Sequence, residues 1–551
     1  MRNYYIQLIL FLLPALFHAQ NTVGLISYDP SRAFDGYNLI YPHNQPNVYL
    51  FNNCGEIIQV WEDTVDIRPG NTAYLRPDGR LIVAKRPNVV VNDRIWAGGG
   101  GATVEIRDWD NKLEWSFTLN NDTARLHHDI EVLPNGNILM LAWELKTAEE
   151  AIAAGRDTSL LSDGEVWSDF ILELDPDLDS IVWEWHVWDH MIQDYDSTKA
   201  NFGVVADHPE LFNINFVRDG AANWMHSNAI AFNADLNQIV FSSPYLNEIY
   251  VVDHSTTKSQ AASHVGGLGA RGGDLMYRWG NPQAYDQGTV EDQVSFFQHD
   301  VHWLERFVDP VHPQYGKLVI FNNEFKEGQY STVSIIQQPW DMYTWTYGLQ
   351  DGKWGPPTYD LNFGHPDTFM MYSSGLSSVQ LLPNNNYLIC SGRDGYSFEL
   401  TPDQQVVWEY ITPLKAGRAV AQGDSLAPND NLTFRILRYP ADYEAFEGKD
   451  LNPKFYLEEN PDSAFCDLIL PIAEVRPLDG LSIYPNPTDS EINISWSNSR
   501  STGIRVFDLT GRLLKQIPEA FSGHIINVSG LTPGLYILQV GEIQYRKIVI
   551  E

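Results

Sequence analysis

Residues 133–143 read LPNGNILMLAW: a strand end, a Pro-Asn-Gly turn, and an apolar run long enough for a second, buried strand. The phrase recurs as LPNNNYLICS at 382–391 and as LRPDGRLIVA at 75–84. Each copy is followed by a further hairpin-like stretch that ends in an aromatic strand. These are ATVEIRDWDNKLEWSF at 102–117, DFILELDPDLDSIVWEW at 169–185 and SFELTPDQQVVWEY at 397–410. Looser copies occupy 226–280 and 299–350, the latter closing on MYTWTY, and a truncated copy occupies 37–61. A unit of four short strands cannot bury its own faces and must stack on its neighbours, and a radial stack leaves only short, protected edges. The six units predict an all-β chain in which residues 20–475 form one six-bladed β-propeller with long inter-blade insertions.

The chain has 551 residues, 44% of them apolar and 19% charged, which is the balance of a globular protein. Its 71 acidic against 36 basic residues give a net charge of −35, a field that repels nucleic acid and anionic membranes. Three cysteines, Cys54, Cys390 and Cys466, allow one disulfide at most and exclude a disulfide scaffold. Residues 1–19 carry one arginine, an apolar run from Ile6 to Phe17 and a small residue, Ala19. This is the layout of a secretory signal peptide, and the run is too short to span a bilayer. No later stretch is apolar enough to span, so the expectation is an exported protein with no transmembrane segment after cleavage. At the other end, strand-like runs at 491–496, 503–508, 534–540 and 545–551 are separated by Gly, Pro and Asn, which predicts a small β-sandwich over 478–551.

Aligned on their turns, the repeats put His128, His226 and His299 at the start of the first strand of three consecutive units. In a propeller that strand lines the central channel, so the three imidazoles are expected to converge on one axis. Convergent histidines suit nucleophilic and acid/base chemistry. Asp129 and Asp300 follow two of them, and strand alternation is expected to turn these carboxylates to the opposite face, where they could orient a ring. No metal or other cofactor is expected at the histidines. His186 and His190 have the spacing of two metal ligands but no third partner nearby in the sequence. GGLGARGG at 266–273 lacks the lysine of a phosphate-binding loop and is expected to be an inter-blade turn.

The motifs HHDI at 127–130, WMHSN at 224–228, DHSTT at 253–257, YRWGNP at 277–282 and QHD at 298–300 resemble the bacterial arylsulfate sulfotransferase family. Ser374-Gly375 and TFR at 433–435 extend the likeness over roughly residues 30–450. The resemblance implies a six-bladed propeller that moves a sulfuryl group from a phenolic sulfate ester to a phenolic acceptor, without a nucleotide donor. It implies ping-pong chemistry through a transient sulfohistidine at His299, with His128 as the candidate acid/base. His226 and Asn228 match residues that hold the sulfuryl oxygens. One position departs from the family: where an arginine follows paired serines, this chain has Ser242-Ser243-Pro244. Arg278 and Arg393 are the candidates to replace that charge in the channel. The missing arginine also leaves open a non-catalytic propeller that binds a polysaccharide or protein at its channel mouth. The C-terminal landmarks YPNP at 484–487, VFDLTGR at 506–512 and LTPGLY at 531–536 resemble the C-terminal sorting domain of Bacteroidetes type IX secretion substrates. This implies that machinery as a partner, and a secreted or cell-surface destination reached through the periplasm.

Overall fold

The structure is a computed structural model that describes residues 21–89, 93–463, 466, 480–497, 501–508, 512–541 and 544–550. The expected signal peptide at 1–19, the start of the expected sandwich at 478 and the turn at 509–511 lie outside the described residues. The chain divides into two compact units, Met1–Cys466 and Asp467–Glu551.

Among the described residues, the first unit holds six antiparallel sheets of four or five strands and four two-stranded ones. Taken from their lead strands outward, sheet 2 runs Ile67–Leu75, Leu81–Pro87, Thr103–Arg107 and Leu113–Thr118. Sheet 3 runs Ala124–Val132, Ile138–Thr147, Glu165–Asp175 and Ser180–His186, and sheet 4 runs Ala229–Asn233, Gln238–Ser243, Glu248–Asp253 and Tyr277–Trp279. Sheet 5 runs His299–Trp303, Leu318–Glu324, Tyr330–Ile336 and Leu361–Phe363. Sheet 6 runs Ser378–Leu381, Tyr387–Ser391, Tyr396–Leu400 and Val406–Ile411, with the N-terminal strand Gly24–Tyr28 added outside. The truncated copy at 37–61 is completed from the far end of the chain. Thr433–Pro440 pairs with Gly36–Pro42 and leads sheet 1, which continues through Val48–Asn52, Glu56–Trp61 and Phe455–Tyr456. One expected boundary moves: the fourth strand of sheet 5 is Leu361–Phe363, while Trp340–Asp341 and Thr346–Tyr347 form a separate hairpin. That hairpin is drawn toward sheet 4, where Tyr347 stacks on Tyr277 and donates to Gln238 Oε1 at 2.6 Å.

Because strand side chains alternate with period two, each second strand is apolar on both faces and feeds two interfaces. Leu139 and Leu141 pack toward sheet 4, while Ile138, Met140 and Ala142 pack toward sheets 1 and 2. Ile239 and Phe241 face sheet 3, whereas Val240 joins Ile320 of sheet 5. Tyr387 and Ile389 join sheet 5, and Leu388 and Cys390 pack with Ile40 and Phe51 of sheet 1. Each fully buried Leu, Ile or Phe contributes about 1.5–3 kcal/mol. The lead strands contact one another in chain order from sheet 1 to sheet 6, and the lead strand of sheet 6 contacts that of sheet 1. A Cys54–Cys466 disulfide ties sheet 1 to the end of this unit, and Cys390 is a buried free thiol.

The second unit pairs Ser482–Tyr484, Glu491–Ser495 and His524–Asn527 in one sheet. A second sheet orders Leu513–Ala520, Thr502–Phe507, Gly534–Val540 and Gln544–Ile550. Ile492, Ile494, Trp496, Val506, Leu538 and Ile548 form its core.

The lead strands are kinked. Asn71, His128, Asp300 and Ser377 have φ of 97°, 51°, 59° and 90°, in the left-handed region that costs a non-glycine residue about 1–3 kcal/mol. Pairing registers slip at the kinks of sheets 2, 3 and 5. Each slip turns side chains away from strict alternation. At this level Arg435, from the lead strand of sheet 1, reaches both carboxylates. Its Nη2 lies 2.9 Å from Asp129 Oδ2 and 2.6 Å from Asp300 Oδ1, and its Nη1 donates to Tyr74 Oη. Asp129 Oδ2 also accepts from Ile230 N at 3.2 Å, and Asp300 Oδ2 from Val379 N at 2.8 Å, so each carboxylate bridges to the next sheet. The carboxylates therefore make no hydrogen bond to the rings of His128, His226 or His299. Arg435→Ala should lower unfolding stability by about 3–5 kcal/mol, because it leaves two buried carboxylates facing each other. Urea unfolding of the variant checks this, and an unchanged midpoint contradicts it.

Candidate active site

His299 opens the lead strand of sheet 5, one residue before the kink at Asp300. Its Nδ1 lies 2.9 Å from Asn323 Oδ1 and 3.2 Å from Phe297 O. Both are acceptors, so Nδ1 carries the proton and Nε2 presents a lone pair. The Asn323 amide is itself fixed, donating through Nδ2 to Ser373 O at 2.7 Å and Leu376 O at 3.2 Å.

His128 and His226 meet edge to face with ring centroids 4.5 Å apart. His226 sits in the loop ahead of its strand rather than on it, at φ 57°. Asn223 Nδ2 donates to His226 Nδ1 at 2.7 Å, which leaves an N–H on Nε2. His128 Nδ1 is 3.0 Å from His127 Nδ1, and His127 Nε2 is 3.0 Å from Asp169 Oδ1. The His127–Asp169 contact is misaligned for a hydrogen bond. A buried carboxylate at that distance still favours the proton on His127 Nε2, so His128 donates through Nδ1 and keeps a lone pair on Nε2. Gly99 makes room for this ring: a Cβ there would overlap His128, and its φ of 80° independently favours glycine. Phe434 lies 6.5 Å from the His128 ring and 6.4 Å from that of His299, an apolar neighbour to both.

Burial holds the imidazoles neutral. The pKa of His299 is drawn down to about 4, chiefly by burial and against its bonds to Asn323 and Phe297. His128 and His226 are drawn well below the ordinary value, first by burial and then by neighbouring histidines. The site thus holds one hydrogen-bond-oriented lone pair on His299, a second on His128 and a donor N–H on His226.

The remaining expected residues divide. Arg278 is committed elsewhere. Its Nε donates to Glu248 Oε1 at 2.9 Å, Nη2 to Glu248 Oε2, and Nη1 to Leu211 O at 3.0 Å. A buried guanidinium needs this full set of acceptors, so Arg278 does not supply a free charge. Asn228 is also spent: its Oδ1 accepts from Ser242 Oγ at 2.6 Å and its Nδ2 donates to Gln298 O at 2.8 Å, which positions the strand of His299. Arg393, in the turn Gly392–Asp394, donates to the exposed Asn429 at 3.1 Å, and its buried Nε has no partner among the described residues. Its charge helps to lower the pKa of both His299 and His43.

Sequence reasoning missed three participants. His43 belongs to the truncated copy, where no register could be read; its pKa is lowered to about 4 by burial, and His128 feels its charge. Tyr245, next to Pro244, stacks on His226 at 4.6 Å with planes 6° apart. Arg218, from a long insertion, lies 3.6 Å over the Tyr245 ring and helps to lower the pKa of His226. Only Tyr245 had a sequence signal, its adjacency to the departure at Pro244. The two aspartates beside the histidines are held by Arg435, so a metal at the histidines has no carboxylate ligand from them.

Residues 103–419, more than half of the chain, match the Arylsulfotransferase (ASST) family. The chain belongs to this family. Residues 482–551 match the secretion system C-terminal sorting domain. No curated protein matches the chain. Solved structures are similar only remotely. A Bacteroides caccae protein of unknown function shares 10% identity over 69% of this chain and 94% of that one, with a TM-score of 0.37. A putative 6-phosphogluconolactonase from Bacteroides fragilis shares 11% over 70% and 97%, with a TM-score of 0.33. A catalytically inactive virginiamycin B lyase from Staphylococcus aureus shares 10% over 69% and 86%, with a TM-score of 0.29.

The depressed imidazoles of the first unit carry a stability consequence. His43, His299 and His302 each fall from 6.5 to about 4 on folding, so below pH 6.5 the unfolded chain binds more protons. Their share of the stability should therefore fall as pH drops from about 6.5 toward 4, while the buried carboxyls of Glu131 and Glu305, raised to about 7, pull the other way. Urea midpoints of the wild type and His299→Gln across that window check the His299 share: the variant should lose less stability than the wild type as pH falls.

Proposed function

We propose that this chain is an exported aryl sulfotransferase, and that its six sheets are the blades of a six-bladed propeller with the histidines in the central channel. The contact of sheet 6 back to sheet 1 supports the closed ring. The observation that carries the chemistry is the fixed tautomer of His299, whose Nδ1–H is tied to Asn323 and whose charge acts on both His128 and His226.

In this reading a phenolic sulfate ester binds with its sulfur before His299 Nε2. The lone pair forms the N–S bond as the S–O(aryl) bond breaks, and the phenolate departs. The sulfated ring keeps its Nδ1–H and is cationic, a charge that Asn323 Oδ1 stabilises and that makes the imidazole a good leaving group. The anionic donor favours a proton on His128, and His128 gives that proton to the departing oxygen. In the second half, His128 Nε2 takes the acceptor phenol's proton as the phenolic oxygen attacks sulfur, and His299 leaves neutral. No proton is gained or lost over the cycle. His226 Nε2–H is placed to donate to a sulfuryl oxygen, and such donors count most where water is excluded. Phe434, beside the rings of both His128 and His299, is the apolar neighbour for a phenol. Arg393, whose charge acts on His299, supplies the positive charge that Pro244 cannot, and Arg218 adds its charge at His226. A channel that only binds a polysaccharide or protein remains the second reading, on the observation of Pro244.

Incubation with an aryl sulfate and a second phenol tests the activity. Transfer should show parallel-line two-substrate kinetics, and His299→Ala should abolish it while the fold persists. Arg393→Ala should lower kcat by about 10²–10³, the scale for loss of one donor to a developing charge. Arg278→Ala should act on stability instead. Wild-type turnover in His299→Ala removes the nucleophile assignment, and absence of transfer in the wild type favours the binding reading.

The C-terminal sorting match supports export to the cell surface or medium through the type IX machinery after a cleaved signal peptide. Removal of residues 478–551 should leave an active first unit in the periplasm. Fractionation checks this, and normal surface or medium levels contradict it.

A further inference from the structure

His190 and the glycine-rich segment that precedes sheet 4's last strand meet at a site the sulfuryl chemistry does not use. His190 follows the short turn Val187–Asp189 and is fully buried. His264 and Asp274 flank the GGLGARGG segment, where the His264 side chain is 61% exposed and that of Asp274 is 9% exposed. Both imidazoles direct Nδ1 at a single carboxylate oxygen: Asp274 Oδ1 lies 2.8 Å from His190 Nδ1 and 2.7 Å from His264 Nδ1. The ligand atoms of the three residues all fall within 4.8 Å of one another.

The other nitrogen of His190 decides what this means. His190 Nε2 lies 2.8 Å from Ala261 O, which can only accept, so Nε2 bears the hydrogen. A neutral His190 then presents its Nδ1 lone pair to the carboxylate, and two lone pairs at that distance repel. A positive species must lie between them, either a proton or a metal ion. With a proton alone, one carboxylate oxygen serves two imidazoles; with a cation, all three groups are ordinary ligands. The surroundings hold the donors in place. The His190 ring stacks on Trp185 with planes 7° apart, and Trp185 Nε1 donates to Gly273 O at 2.7 Å. A Cβ at Gly273 would overlap His190 and Ala261 O, so the glycine is required where the segment passes the ring.

We propose that His190, His264 and Asp274 bind a borderline divalent transition-metal ion of the zinc class. Two imidazoles and one carboxylate are a zinc donor set, with bonds of about 2.0–2.2 Å, and a water completes four-coordination on the open side of His264. The donors must spread slightly from their present spacing, and the exposed His264 is free to do so. The carbonyl bond on His190 Nε2 is the outer partner that fixes a ligating tautomer. The ion staples the segment before Tyr277–Trp279 of sheet 4 to the end of sheet 3.

The full-length protein, stripped with a chelator and dialysed, is titrated with Zn²⁺ against a chromophoric competitor. The wild type should take up one ion per chain, with a rise in apparent melting temperature. His264→Ala, a surface change that leaves the fold intact, and Asp274→Asn should each weaken uptake by about 100-fold, on the scale of the larger losses known when a metal site is disturbed. His208→Ala, an exposed histidine paired with Glu210, should bind as the wild type does. No stoichiometric uptake by the wild type, or equal uptake by His264→Ala, overturns the site and leaves a proton-held cluster.

Discussion

A single guanidinium, that of Arg435, lies between two buried carboxylates at the level where the lead strands kink. Asp129 and Asp300 come from sheets 3 and 5, Arg435 from sheet 1, and the carboxylates also accept backbone N–H groups of sheets 4 and 6. Five of the six sheets are thereby tied to one ionic cluster, and Tyr74 of sheet 2 joins it through its hydroxyl. Burial raises both carboxyls well above the ordinary range and draws Arg435 down to about 9, so the cluster survives only because each charge has several directed partners. Interdigitated apolar faces hold neighbouring sheets together in pairs. The ionic cluster fixes the height of one sheet against the next.

The proposed chemistry depends on that fixed height. Left-handed residues at or beside His128 and His299 turn the imidazoles to one side of Arg435 and the aspartates toward it. On the far side of Arg435, a cavity of ≈100 Å³ is lined by Glu131, His302, Glu305 and Arg306. The two sides are electrostatically different. On one side neutral histidines offer lone pairs and an N–H, with arginines nearby. On the other, burial raises the carboxyls of Glu131 and Glu305 to about 7. In the proposed transfer the sulfuryl group spreads negative charge over its oxygens, so the side of His128, His226 and His299, which lacks the glutamates that line the other, is the one that complements it.

Insertions between the sheets do more than connect. They bring Arg218 over Tyr245, they carry the His264 and Asp274 pair to His190, and they supply Asn223 to orient His226. Long loops that carry functional groups on a rigid scaffold are a general feature of β-sheet proteins.

Local chemistry in the sequence was enough for the β repeat, the turns and the three histidines, because period-two apolar runs and Pro-Asn-Gly turns act over a few residues. The family followed from the order of short motifs. The lead strand of sheet 1 was not legible, since Thr433–Pro440 pairs with a strand some 400 residues earlier and nothing local marks that partner. Alternation predicted that Asp129 and Asp300 turn away from the histidines, but the kinks at His128 and Asp300 break strict alternation there, and no local pattern could find Arg435, which completes them from another sheet. Arg278 and Asn228 read as site residues because their motifs sit beside site residues, yet packing gives their polar atoms to Glu248, Ser242 and Gln298. His190 lacked a third partner in sequence and gained two across a gap of more than 70 residues. The sequence by itself determined which side chains could do chemistry and how often the strand unit repeats, since both are properties of short segments. Only the tertiary structure decided which of those side chains face one another, because a tautomer, a charge and a lone pair acquire direction from partners that the chain brings together by folding.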